Sequence, residues 1–151
     1  MQRDKIYTIH VNLHLSTVDR MQPHLEIIGI ILILLAAIHI AFPQYFNWKK
    51  ELGSLRLINR QMMYVHTFFI AFTVFLMGLL CLTSATELTF TPLGKKISLG
   101  LSLFWVTRLL FQFFGYSSLL WKGKNFETIV HITFTCLWIY FSIVFLMIFL
   151  T

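Results

Sequence analysis

Apolar residues run almost unbroken through four stretches of the chain, 25–42, 61–83, 97–116 and 127–150, and polar and charged residues gather between them. No proline interrupts the interior of any stretch. A hydrocarbon layer about 30 Å thick takes about 20 helical residues to cross, so each stretch is long enough to span one. A backbone in lipid must satisfy its own hydrogen bonds, which predicts helices, and the short connections predict antiparallel neighbours. The expected fold is all-α, an integral membrane up-down-up-down four-helix bundle. Pro43 predicts the end of the first helix. Thr91-Pro92 predicts the entry to the third, with Thr capping free amides and Pro tolerated in the first turn. Asn125 is the candidate cap of the fourth.

Residues 1–20 differ in character. Ile9, Val11, Leu13 and Leu15 alternate weakly with His10, Asn12 and His14, and the segment lacks the apolar core and small-residue cleavage site of a signal peptide. Met21 follows directly, so the organisation is a tail over 1–20, or a start at Met21, and a four-helix domain over 21–151. His10 and His14 stand four apart in this tail and are not assigned as ligands.

Composition narrows the function classes. Of 151 residues, 58% are hydrophobic and 12% charged, and four spans leave no room for a separate nucleotide-binding or nucleic-acid-binding module. The net charge of +6 therefore serves orientation in the lipid bilayer and not nucleic acid. Lys49, Lys50, Arg56, Arg60, Lys122 and Lys124 flank one face; Lys95 and Lys96, with Arg3, Lys5 and Arg20 of the tail, flank the other. Basic loops stay cytoplasmic, which puts the first and third loops inside and both termini outside. Tyr45, Phe46, Trp48 and Trp121 read as interfacial anchors on the inner face. Cys81 and Cys136 differ in height by about 16 Å, too far for a disulfide, and both read as buried packing. No Cys-x-x-Cys-His is present, which excludes covalent c-type haem.

Converting position to depth is more informative. Measured from the inner helix ends, His39, His66, Gln112 and His131 each lie about 4 to 5 residues in, so four helices offer a nitrogen or oxygen at one level, about 6 to 8 Å deep. Periodicity gathers His131, Thr135, Trp138 and Ser142 on one side of the fourth span, and Leu101, Trp105, Arg108, Gln112 and Gly115 on one side of the third. Asn59, Met62, Met63, His66, Thr73 and Met77 share a side of the second, and Ala36-Ala37 beside His39 allow close approach to the first. Lipid-facing polar groups are costly, so these stripes are expected to face the interior. Arg108 lies one turn deeper than Gln112 with no carboxylate at its depth, Glu127 and Glu51 being the nearest candidates. It calls for an anionic guest: a haem propionate, a quinone carbonyl, a lipid phosphate or a substrate carboxylate.

Two readings account for the layer. In one, no cofactor is present and the side chains hydrogen-bond across helices as modest glue. In the other, the layer binds a cofactor. His66 and His131, with His39, Arg108 and Gln112, would hold haem b, or His39, His66 and His131 a transition-metal ion with an open position. The 17% aromatic content, with Phe68, Phe69, Phe72, Trp105, Phe111, Phe113, Phe114 and Trp138 near these heights, leans toward haem. The functions that follow are a redox cofactor protein, a non-catalytic accessory or assembly subunit of a larger membrane complex, and a small transporter that forms a homo-oligomer with Arg108 and Gln112 lining an anion path. Phosphate-loop, nucleophile-elbow and His-Glu-x-x-His motifs are missing, which argues against an enzyme of those kinds. Glu127, one turn before His131, leaves membrane-embedded hydrolysis open.

The segment Phe42-Pro43-x-Tyr45-Phe46-x-Trp48, followed by Asn59-Arg60-Gln61-Met62-Met63-Tyr64-Val65-His66-Thr67-Phe68-Phe69, resembles small bacterial four-helix membrane proteins of unassigned activity. The resemblance runs from about Met21 onward. It implies the fold and a bacterial inner membrane, and no reaction or ligand. Asn59, Arg60, Gln61 and Tyr64 form a polar mouth leading to His66.

Overall fold

The computed structural model describes the backbone of residues 2–117 and 121–151 and the side chains of 20–117 and 121–151, and the regular structure among them is helical. The helices are α1 (Gln2–Tyr45), α2 (Trp48–Glu51), α3 (Leu57–Thr83), α4 (Ala85–Phe90), α5 (Pro92–Phe114) and α6 (Asn125–Leu150). Four segments are long and apolar enough to cross a membrane: Arg20–Tyr45, Leu57–Thr83, Pro92–Phe114 and Asn125–Leu150. The chain divides into two compact units, one of Met1–His24 with Thr86–Thr151, the other of Leu25–Ala85.

The predicted signals at helix ends fared unequally. Thr91 is the N-cap of α5 as expected, its hydroxyl accepting from the Gly94 amide at 2.9 Å with Pro92 in the first turn. Asn125 is not a cap: Lys124 takes that place, extended and with no side-chain bond, and Asn125 is the first helical residue. Pro43 does not stop α1, which continues to Tyr45. A proline near a helix end forfeits only its own bond to the preceding turn, and the Phe46 amide still bonds the Phe42 carbonyl at 2.9 Å. The helix is then broken at Asn47, whose φ of 47° is a left-handed conformation that asparagine tolerates. The side chains of His10 and His14 lie outside the described residues.

In the Leu25–Ala85 unit, α1 and α3 meet at two glycines. A β-carbon on Gly78 would stand 2.9 Å from the Gly29 carbonyl oxygen and 3.2 Å from the Ile33 amide nitrogen, so backbone faces backbone there. Only glycine permits that approach. The polar stripe of α3 was expected inside, but Asn59, Met62, Met63, His66 and Thr73 are exposed and Met77 half-buried; the buried residues are Val74, Gly78 and Cys81. Helix contact here follows the small residues, because close backbone approach rewards them more than it rewards polar groups.

In the other unit, α5 and α6 pack along their length. Ser102 faces Ser142, Trp105 faces Trp138 and Gln112 faces His131, so α6 steps backward as α5 steps forward and the pair is antiparallel. Most of the two stripes expected on these helices is packed: Leu101, Trp105, Gln112, Trp138 and Ser142 are buried, Arg108, His131 and Thr135 half-buried, and Gly115 is exposed. Cys136, expected in packing, is exposed, while Cys81 is buried; both are free. Two short elements were not anticipated. Of these, α4 lies so close to α5 that a β-carbon on Gly94 would collide with the Glu87 carbonyl.

Candidate functional site

The packed face of α5 and α6 carries a chain of polar and aromatic contacts. Ser102 donates to the Ser142 carbonyl at 3.0 Å, and Ser142 donates to the Trp138 carbonyl at 2.7 Å. The rings of Trp105 and Trp138 stack with centroids 4.8 Å apart and planes at 14°. Both indole N–H groups are buried without a partner among the described residues. Beyond them the Arg108 guanidinium lies 5.3 Å from the Trp138 ring centroid and 5.8 Å from that of Tyr116, within cation–π range of both.

Arg108 continues into Gln112. Its Nη1 donates to Oε1 of Gln112 at 3.3 Å, and Nε2 of Gln112 stands 2.9 Å from Nδ1 of His131. Arginine has only donors, so the amide oxygen must face it and the amide nitrogen must face the imidazole. Nδ1 of His131 is then an acceptor, and the neutral ring carries its proton on Nε2. Trp121 stacks on the same imidazole, its ring centroid 4.1 Å from that of His131 and the planes at 11°. Thus Gln112 and His131, expected at one depth, come together, with Arg108 one turn along α5. No carboxylate joins them among the described residues; neither Glu127 nor any other acid pairs Arg108 there.

Trp121 was read only as an interfacial anchor. Its place ten residues before His131, across a turn containing Gly123 at φ +80°, is the signal that links the two. His24 was not singled out either, yet its Nδ1 lies 2.8 Å from the Tyr140 hydroxyl. Nothing in the spacing of His24 and Tyr140 marks that pair.

His39 and His66 belong to the Leu25–Ala85 unit and make a different kind of bond. Nδ1 of His39 lies 2.7 Å from the Leu35 carbonyl, and Nδ1 of His66 lies 2.8 Å from the Met62 carbonyl. A carbonyl only accepts, so Nδ1 carries a proton in both rings, and in the neutral form of each ring Nε2 is the nitrogen with the lone pair. Taking the Gly29–Gly78 contact as a level, His39 lies 10 residues along α1 and His66 lies 12 residues back along α3, which puts them within about one helical turn in height. His39 is half-buried and His66 exposed.

Among the described residues no group of three or more His, Cys, Asp or Glu side chains is placed to hold one metal ion. The fold and site define a helical protein with four segments able to cross a membrane, in which the Nδ1 atoms of His39 and His66 face carbonyls and that of His131 faces the Gln112 amide. Comparison with protein-family models, curated proteins and solved structures gives no match.

Proposed function

We propose that the chain is a multi-pass protein of the bacterial inner membrane that binds haem b, or a transition-metal ion, through His39 and His66 in a redox role. Its four spans run up-down-up-down with the basic first and third connections inside and both termini outside. The observation that carries this reading is the tautomer shared by His39 and His66. Imidazoles that bind iron or other metals donate the remaining ring N–H to a carbonyl or carboxylate, which fixes the ring and raises the basicity of the ligating nitrogen. Both rings make that bond to the carbonyl four residues back. A haem asks the protein for only two axial donors, so a pair of imidazoles suits it better than a bare ion, which needs more ligands. His131 is not a ligand in this reading; Gln112, oriented by Arg108, faces its Nδ1.

The test is the absorbance spectrum of purified full-length protein, with elemental analysis. A Soret band with α and β bands that sharpen on reduction, or one metal ion per chain, is expected. His39→Ala and His66→Ala are expected to lose it while His131→Ala keeps it. Helical, monodisperse protein that is colourless and metal-free overturns the reading.

A second reading has its own observation. In the most apolar stretch of α3 only 17% of residues are buried, against 33% in Arg20–Tyr45 and in α6. A non-catalytic accessory subunit would use that face, with Phe68, Phe69 and Phe72, against a membrane partner. Polar substitutions at these three positions would then abolish co-purification of a stoichiometric partner and leave the spectrum unchanged.

A further inference from the structure

Two grooves adjoin at Arg108. One, of ≈440 Å³, runs from Gly100 past Phe104 and Thr107 to Arg108. The other, of ≈370 Å³, runs from Arg108 and Phe111 to Gly115 and Tyr116. Gly100 leaves the first open, since a β-carbon there would meet nothing within 4 Å. The arginine gives the pair a direction. Its guanidinium bonds Gln112 one turn on and lies over Tyr116 two turns on, so the charge sits toward the C-terminal end of α5 while the Gly100 end is apolar. Lys122 and Lys124, both exposed, follow that end and add to its positive field.

Among the described residues the guanidinium is held but meets no counter-charge. Gln112 and two aromatic rings fix its position, and none of them is an anion. In apolar surroundings an arginine without a counter-charge is costly, which favours an anion beside it. The grooves open on the side of Leu103, Phe104 and Phe111, all exposed, so their occupant comes from what surrounds the helix. In a membrane that is lipid. We infer that one anionic phospholipid occupies the grooves, its phosphate on the Arg108 guanidinium and an acyl chain along α5 toward Gly100, about 12 Å away. This inference rests on the membrane reading and not on the histidine pair, so colourless protein leaves it standing.

The full chain in neutral detergent is incubated with equal amounts of phosphatidylglycerol and phosphatidylcholine of matched acyl chains, and retained lipid is weighed by native mass spectrometry. Phosphatidylglycerol is expected to be retained in preference by about fivefold, the effect of one basic side chain on an anionic lipid. Arg108→Gln removes the preference. Gly100→Leu, whose β-carbon meets nothing within 4 Å, fills the apolar end of the groove and reduces retention of phosphatidylglycerol while Arg108 remains. Millimolar inorganic phosphate does not displace the lipid. Equal retention of the two lipids, an undiminished preference in Arg108→Gln, unchanged retention in Gly100→Leu, or displacement by inorganic phosphate overturns the assignment.

Discussion

Gln112 donates from Nε2 to Nδ1 of His131 across 2.9 Å, and Arg108 dictates which end of the amide does so. One guanidinium thereby sets the tautomer of an imidazole it does not touch. His131 is left with its proton on Nε2, the reverse of His39 and His66, whose Nδ1–H groups are tied to carbonyls. Within their separate units, the Nδ1 atoms of His39 and His66 face carbonyls and that of His131 faces an amide N–H.

Gln112→Glu is expected to reverse that assignment. A carboxylate accepts at both oxygens, so Nδ1 of His131 must then carry a proton to face it, and Arg108 gains an ion pair. Gln112→Leu removes the bond and leaves two polar groups without a partner, at a cost of about 1 to 2 kcal/mol in unfolding from mixed micelles. Side-chain nitrogen NMR of His131 reads both: Nε2–H in the native protein, Nδ1–H or the doubly protonated ring in Gln112→Glu. An identical pattern in the native protein and both variants refutes the relay.

Depth arithmetic found Gln112 and His131 because both sit on faces that their helices bury, where height and direction are set by the same periodicity. It misjudged α3, since the rule that polar residues turn inward competes there with close packing at Gly29 and Gly78. In α3 the glycine contact is the one that fixes the face, and the Met62–His66 side is left exposed. The hydrogen on each imidazole was not legible at all. It depends on which partner lies 3 Å away, and sequence gives the level of a side chain without giving its neighbour.

Gly78 and Gly100 predict opposite outcomes for the same kind of change. A β-carbon on Gly78 would come within 2.9 Å of both the Gly29 oxygen and Cγ1 of Ile33, and the backbone cannot yield cheaply, so Gly78→Val is expected to cost about 1 to 3 kcal/mol. At Gly100 nothing is met, and Gly100→Ala gains about 0.5 to 1 kcal/mol from the lower conformational entropy of the unfolded helix. Denaturation midpoints followed by circular dichroism separate the two; equal effects would mean that the close approach is not present.

Thr91 joins α4 to α5 by two bonds. Its hydroxyl donates to the Glu87 carbonyl at 2.8 Å and accepts from the Gly94 amide at 2.9 Å. Thr91→Ala is expected to cost about 1 kcal/mol, the usual loss of an N-cap, and to speed hydrogen exchange at Gly94. Thr91→Ser keeps the hydroxyl and restores both values. Slow exchange at Gly94 in the alanine variant would show that another group caps the helix.

Ser98 and Ser102 lie one turn apart on the buried face of α5 and should respond with opposite sign. The Ser102 hydroxyl donates to the Ser142 carbonyl at 3.0 Å, tying α5 to α6, so Ser102→Ala loses a bond worth about 0.5 to 1 kcal/mol between apolar helices. The Ser98 hydroxyl is fully buried and has no partner among the described residues. A polar group in that position is paid for by desolvation with nothing returned, and alanine removes it with little change of volume. Ser98→Ala is therefore expected to stabilise the protein by up to about 1 kcal/mol. Both variants keep the small side chain that the helix contact needs, so packing is the same in each comparison. The sign of the difference in unfolding midpoint is what decides: a loss of stability in Ser98→Ala as large as that in Ser102→Ala would mean that Ser98 has a partner after all.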